Sequence, residues 1–323
     1  MTMTILDAPA TARALPYETL APALAAMMVR RRDGLTRSPE RLVVPLTGGV
    51  LLAMPACDAE FAVTKLVTVH ADNPARGLPS LLGEVLLMRA DTGERLLMLD
   101  GPTVTAHRTA ALSALAALRL GATAGAELLV IGSGVQAQAH IAAFARLLGV
   151  TRVRVRSRDR SHAQALAARA CASGLHADTA DDLPAALAAS AIIVTATTAN
   201  DPVIPDHVRD DAFIAAVGAY RPDMCELPAA LLHRADLWVD DLAGAAHEAG
   251  DLLRAGIDFG SVRALQEIAT GAARAHPGRP VVFKSVGQAL WDLAAARLAW
   301  EGLGNAGGAA GPSAGRSSGG TAC

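Results

Sequence analysis

The sequence predicts an α/β protein: a doubly wound parallel sheet, preceded by an α+β N-terminal domain that the last helix returns to complete. Three observations predict it. Between residues 42 and 99, short β-type runs follow one another with turn residues and no helix between them. From residue 127 onward, apolar strands alternate with helices, the texture of βαβ units. At the first strand-to-helix junction of that region stands a glycine-rich loop, Gly132-Ser133-Gly134-Val135-Gln136-Ala137. A chain of 323 residues, 52% apolar and 19% charged, is long and apolar enough to bury two cores.

Each element has a local reason. Residues 21–32 place apolar side chains at helical spacing and end in Arg30-Arg31-Arg32, cations at a helix C-terminus. Strands follow at 42–46, 50–54 and 61–69, with Gly48-Gly49 and Cys57-Asp58 as turns. Strands 82–88 and 95–99 flank Asp91-Thr92-Gly93, a hairpin signal, so this sheet is expected to be antiparallel. A helical pattern opens around Thr103 and runs through 106–120. Strand 127–131, helix 136–148, strand 152–157, helix 161–173 and strands 191–195, 212–216 and 237–240 come next. Residues 287–302 are helical again, with Leu290, Leu293, Ala294, Arg297 and Leu298 at i, i+3, i+4 spacing. The expected domains are therefore 1–115, with 288–302 packing back onto it, and 116–287; residues 303–323 are Gly/Ala/Ser-rich and have the composition of a disordered tail.

Composition excludes several function classes. A formal net charge of −2 with no basic block argues against a nucleic-acid partner. The N-terminus has no basic segment followed by an apolar run, and the weakly polar stretch 183–199 contains Pro184 and is too short to span a membrane. Cys57, Cys171, Cys225 and Cys323 have no metal-ligand spacing and read as reduced thiols of a cytoplasmic protein.

The loop's setting makes it a phosphate-binding candidate. Gly132 permits the tight turn after the apolar strand, Gly134 lets the backbone approach a pyrophosphate, and Ala137 allows close helix–strand packing. Val135 and Gln136 open a helix whose free N–H groups favour an anion, which makes the parallel sheet a Rossmann domain. At the end of the second strand an NAD site usually carries an acid for the ribose 2′-hydroxyl. Here Arg156-Ser157-Arg158-Asp159-Arg160 stand instead, with Asp159 too late to be that acid. Arginines suit a 2′-phosphate, so NADP(H) is the preferred cofactor and NAD(H) a possible one.

A second constellation concerns an anionic substrate. Of 29 basic residues only Lys65 and Lys284 are lysine. Where arginine serves as the ordinary surface cation, a retained lysine marks a need for a compact charge or a titratable amine, chance being the alternative. Lys65 sits inside an apolar strand, where a buried amine must be paired or used. Arg41 and Arg108 lie on other elements of the same half. Together the three could hold a small carboxylate against a nicotinamide; separate salt bridges are the other reading.

Lys65, Asn73-Pro74, Gly77-Leu78-Pro79-Ser80, Asp91-Thr92-Gly93, Leu99-Asp100-Gly101, Thr105 and Arg108-Thr109-Ala110-Ala111 resemble the ornithine cyclodeaminase/mu-crystallin family. So do the Gly132 loop, Val282-Phe283-Lys284-Ser285-Val286-Gly287 and Asp292-Leu293-Ala294, in order over roughly residues 41–297. The resemblance implies a homodimer whose N-terminal domain carries the substrate site and dimer contacts beside a Rossmann domain. Family members include ornithine cyclodeaminase, an alanine dehydrogenase, cyclic ketimine reductases and a thyroid-hormone-binding crystallin. It also implies that Arg41, Lys65 and Arg108 are the carboxylate-binding and catalytic basic residues. Thr109, the Gly132 loop, Thr195, Thr197, Gly218 and Lys284 fall where the family lines its cofactor site.

The sequence departs from the cyclodeaminases at one informative place. Their Gly-[Gly/Ala]-Asp-x-Pro-Gly-Lys-x-Glu segment carries a catalytic Asp; this chain reads Gly218-Ala219-Tyr220-Arg221-Pro222-Asp223-Met224-Cys225-Glu226. Tyr220 takes the Asp position, and Asp223, three residues on, is expected to point elsewhere. Leu52 likewise replaces an acid that would face ornithine's distal amine. The Pro-Asp-Met-x-Glu form is similar to that of the pyrroline- and piperideine-2-carboxylate reductases. A pocket without the counter-carboxylate loses the means to manage a second amine, whereas a cyclic imino acid needs none. The sequence thus favours an imine reductase over ornithine cyclodeaminase, an amino-acid dehydrogenase acting on pyruvate and ammonia, or a non-catalytic NADP- or ligand-binding protein. Lys65, an ordered water and Tyr220 remain open as proton donor.

Overall fold

The protein is described by a computed structural model over residues 3–268 and 275–308. The first sheet has six strands: β1 (Thr4–Leu6), β2 (Leu42–Leu46), β3 (Gly49–Cys57), β4 (Phe61–Val69), β5 (Leu81–Arg89) and β6 (Arg95–Asp100), in the order β1-β6-β5-β4-β3-β2. From β2 to β6 it is the expected antiparallel meander. The sheet is nevertheless mixed, because β1 adds parallel to β6. Three residues cannot display an alternating pattern, so β1 was invisible to periodicity.

Helices α1 (Ala8–Ala14), α2 (Tyr17–Arg32) and α3 (Gly101–Arg119) belong with this sheet. Asp7 caps α1 by accepting the Ala10 N–H, and Asp100 caps α3 by accepting that of Thr103. The last helix, α10 (Ala289–Gly308), packs against α2, α3, β3 and β4, so the C-terminus does return to the N-terminal sheet. It continues through 303–308, which composition had assigned to a tail. Weak glycine propensity, about 1 kcal/mol per residue, is overridden where Leu298, Trp300 and Leu303 still pack on the core. Residues 309–323 of the expected tail lie outside the described residues.

The second sheet has eight parallel strands, β7 (Leu128–Ile131), β8 (Arg152–Arg156), β9 (His176–Thr179), β10 (Ile192–Thr195), β11 (Phe213–Ala216), β12 (Asp236–Val239), β13 (Arg263–Ala264) and β14 (Val281–Lys284). Their order is β13-β12-β14-β11-β10-β7-β8-β9. Helices α4 (Val135–Leu148), α5 (Arg160–Ala172), α6 (Leu183–Ala189), α7 (Ala229–Arg234), α8 (Leu242–Glu248) and α9 (Gly250–Arg254) connect them. The five strands read from sequence lie within a residue of their expected bounds. The polar edge strand β9 and the two-residue β13 were not read as strands, being too polar or too short to stand out, and β14 was read only as part of a family motif. Strand β7 has β8 on one side and β10 on the other. The winding reverses there, and in such sheets ligands enter at the carboxyl ends of the strands beside that reversal. The fold class is that expected: a Rossmann sheet beside an α+β unit.

Candidate active site

The phosphate loop lies at the reversal. Gly132, at φ 125°, could not be replaced without collision: a Cβ there would lie 2.4 Å from the Ala196 carbonyl, so the loops after β7 and β10 touch. Gly134 N-caps α4 with no side-chain cap, and nothing lies within 4 Å of where its Cβ would be. The first N–H groups of a 14-residue helix thus open onto free space, which fits a phosphate. Val135 stays 68% exposed at that helix start, while the Gln136 amide donates to the Thr105 carbonyl and links α4 to α3. At the end of β8, Arg156, Ser157 and Arg158 line a cavity of about 160 Å³ with Arg160 and Asp181. Ser157 bonds Ser133 across the loops at 3.0 Å. Asp159 caps α5 through the Ser161 N–H and hydroxyl, so its carboxylate is committed to the helix.

The three basic residues of the N-terminal half converge. On β4, Phe61, Val63, Lys65 and Val67 point to the buried face. Lys65 meets Asp292 of α10, with Nζ 3.0 Å from Oδ2; side-chain exposures of 3% and 0% make this a buried pair. Arg108, also buried, approaches the other carboxylate oxygen of Asp292 at 3.4 Å through Nε. Its two Nη atoms face Gly287, where a Cβ would lie 2.9 Å from each. Arg41 donates to the carbonyls of Val286 and Gly287 at 2.9 and 2.6 Å and pairs with Glu248 of α8 at 2.8 Å. The 285–287 loop is held by Asp240, which accepts the Ser285 hydroxyl and the N–H groups of Val286 and Gly287.

Burial and charge set the protonation of this cluster. Burial lowers the Lys65 amine to about 8, Asp292 opposes that, and the neighbouring Arg108 and Arg41 lower it further. Burial also raises the Glu248 carboxyl, against the pull of Arg41. The arrangement can hold a carboxylate with guanidinium groups beside an amine able to give or take a proton near neutral pH.

The remaining residues expected at the cofactor lie along the carboxyl edge of β10, β11 and β14. Thr195 ends β10 fully buried, and Thr109 is buried in α3. Thr197 and Gly218 follow β10 and β11, and both donate backbone N–H groups to Glu226. Lys284, the second lysine, is 1% exposed and pairs with Asp251 at 2.7 Å, so it reaches the cleft through other residues and not with its own amine.

The model of the ornithine cyclodeaminase/mu-crystallin family matches residues 3–306. The chain belongs to that family. It is 45% identical over 303 residues to the Delta(1)-pyrroline-2-carboxylate reductase 1 of Burkholderia multivorans, covering 93% of this chain and 96% of the relative. It is 42% identical over 302 residues to the Delta(1)-pyrroline-2-carboxylate/Delta(1)-piperideine-2-carboxylate reductase of Azospirillum brasilense, covering 93% and 96%. Among solved structures it is similar to the Thermococcus litoralis Delta(1)-pyrroline-2-carboxylate reductase in complex with NADH and L-proline. The TM-score is 0.89 at 27% identity, over 94% of this chain and 98% of that one.

For a family member, the missing acid is now placed. Tyr220 is half-buried, with the Arg221 guanidinium 5.9 Å from its ring centre. Asp223 is exposed and held by two bonds to Arg221, at 3.0 and 2.9 Å, which keep its carboxyl below the usual range. Its carboxylate is thus committed to Arg221 at the surface. Leu52 is buried on the same face of the sheet as Lys65, two strand positions from the Met54–Lys65 pair. Four acids escaped the sequence reading as site residues: Asp292, Asp240, Glu248 and Glu226. Asp292 had a signal, an acid on the apolar face of an amphipathic helix, the counterpart of Lys65 on its strand. Asp240 and Glu226 sit in connections and Glu248 ends a seven-residue helix, where no periodicity marks a buried side.

Proposed function

We propose that the protein reduces cyclic imino acids with a nicotinamide cofactor, taking Δ1-pyrroline-2-carboxylate to L-proline and Δ1-piperideine-2-carboxylate to L-pipecolate. The observation that carries this reading is the buried Lys65–Asp292–Arg108 cluster beside Arg41, and the sequence, with Tyr220 at the position of the cyclodeaminase acid, agrees with it. The names of the most similar relatives support the same chemistry. Arg41 and Arg108 hold the substrate carboxylate. Lys65, with an amine that titrates near 8, donates the proton that the imine nitrogen gains. Asp292 orients that amine and offsets the charge of Arg108.

When bound, the reduced nicotinamide supplies the hydride that the imine carbon accepts. The open helix start at Gly134, Val135 and Gln136, with Gly132, would hold its pyrophosphate. Thr109, Thr195, Thr197, Gly218 and, from behind, Lys284 would form the wall around its reactive half. Arg156, Ser157 and Arg158 around the small cavity support NADP(H) over NAD(H), although a neighbour holds NADH. The working form is a homodimer in the cytoplasm. The units are 1–115 with 288–302, for substrate and dimer contacts, and 116–287 for the cofactor. Exposed apolar residues of β2 (Leu42, Val43, Val44 and Leu46), with Leu66 of β4 and Leu82 of β5, suit a second copy of the chain. Free Cys57, Cys171 and Cys225 suit a reducing compartment.

The test follows oxidation of NADPH and NADH with each cyclic imine, with pyruvate plus ammonia, and proline formation from ornithine with NAD. Turnover of the cyclic imines, faster with NADPH, is expected. Ornithine conversion without imine turnover overturns the proposal.

A further inference from the structure

Glu226 lies between β11 and α7, fully buried, and its carboxylate joins two loops. Oε1 accepts the Thr197 N–H at 2.7 Å and the Thr197 hydroxyl at 2.8 Å. Oε2 accepts the N–H groups of Gly218 and Ala219 at 2.7 and 3.2 Å. These loops follow β10, which adjoins β7 at the reversal, and β11, the next strand out. Two oxygens accepting four donors are best matched by the ionised form, which has acceptors only.

A second layer holds Glu226 in turn. Asp251 of α9 accepts the N–H groups of Glu226 and Leu227 through one carboxylate oxygen, while the other pairs with Lys284 at 2.7 Å. Burying an acid–acid–lysine set costs several kcal/mol of lost hydration, and an apolar filling of the same volume is commonly no less stable. Its place at the carboxyl edge of the sheet gives that expense a use. Lys284, a compact ammonium with a straight stem, fits inside a sheet where an arginine fork would not.

We propose that Glu226 is the positioning residue of the cofactor cleft: it ties the Thr197 and Gly218 loops into one wall facing the dinucleotide, and the Asp251–Lys284 pair fixes it from behind. Glu226 itself touches neither substrate nor cofactor and acts through the two loops. This rests on the reading that a nicotinamide dinucleotide binds here.

The experiment compares wild type with Glu226→Gln by NADPH titration calorimetry, thermal unfolding, and kcat and KM for both cofactor and imine. The amide turns one acceptor into a donor facing a donor. NADPH Kd and KM should rise about ten-fold, the size of one lost hydrogen bond to a charged group, while the imine KM stays within about two-fold. A folded variant with unchanged NADPH affinity overturns the proposal, as does a change confined to the imine KM. If Glu226→Gln does not fold, Thr197→Ala removes the hydroxyl donor and puts nothing in its place, and should raise NADPH Kd about three-fold; unchanged affinity there overturns it equally. Wild type that binds neither NADPH nor NADH overturns the proposed function as well. Wild type that binds NADPH but turns over no imine leaves the titration decisive for Glu226.

Discussion

A lysine ammonium inside a sheet loses its hydration, and only a well-placed acid makes that tolerable. Lys65 has Asp292 at 3.0 Å, yet Arg108 competes for the same carboxylate. The balance lowers the amine from 10.5 to about 8, roughly 3 kcal/mol against the charged form. A proton donor is needed protonated, so kcat/KM for imine reduction should be level below pH 8 and fall about ten-fold per pH unit above it. Lys65→Met should lower kcat by about 10²–10⁴, leave NADPH affinity unchanged and remove that limb. Titration of the substrate is common to both proteins and cancels in their ratio. A limb that survives in the variant would assign the proton to Tyr220 or water. At this scale the sequence spoke through exceptions to pattern. An amine on an apolar strand was conspicuous, whereas Glu226 and Glu248 look like ordinary loop and helix-end acids until the chain has folded.

At the scale of elements, α3 carries Arg108 and Thr109 while α4 opens at the glycine loop, so their contact sets the proposed substrate side against the proposed cofactor side. His140 of α4 lies in that contact, its ring nitrogens bonded to the Gln136 carbonyl at 2.7 Å and the Ser113 hydroxyl at 3.0 Å. Burial lowers its pKa to about 4. The folded value is below the unfolded one, so the neutral ring contributes stability above pH 6.5, and that contribution fades as the pH falls towards 4. Urea unfolding at pH 7.0, 5.5 and 4.5 should show a loss of about 2 kcal/mol from this group, and a smaller loss in His140→Gln. Equal losses in both proteins would place the acid sensitivity elsewhere. Legibility followed length in the first sheet: β4 matches its expected bounds at 61–69, whereas three-residue β1 is too short to show a pattern, as is two-residue β13 in the second.

For the whole molecule, the proposed dimer rests on the open face and edge of the first sheet. A monomer leaves Leu42 62% and Val43 50% exposed on an edge strand, a surface that soluble proteins ordinarily cover. Sedimentation should give twice the 33.1 kDa chain mass, and the double variant Leu42→Glu/Leu66→Glu should shift it to the monomer. A monomeric wild type at micromolar concentration would remove the dimer from the proposal.

The sequence by itself determined the α/β class, the glycine loop and its flanking elements, the absence of an acid at position 220, and the three basic residues worth following. Those features are local: periodicity, a glycine at a strand–helix junction, and a charge where pattern calls for an apolar side chain. Only the tertiary structure decided that Arg41, Lys65 and Arg108, drawn from separate elements, meet around Asp292 and the Gly287 loop. It also turned Asp223 outward onto Arg221 and made Glu226 the knot between two loops. Convergence depends on how strands order themselves and where α10 docks, and those are settled by burying the shared core, a property that no short stretch of the chain contains.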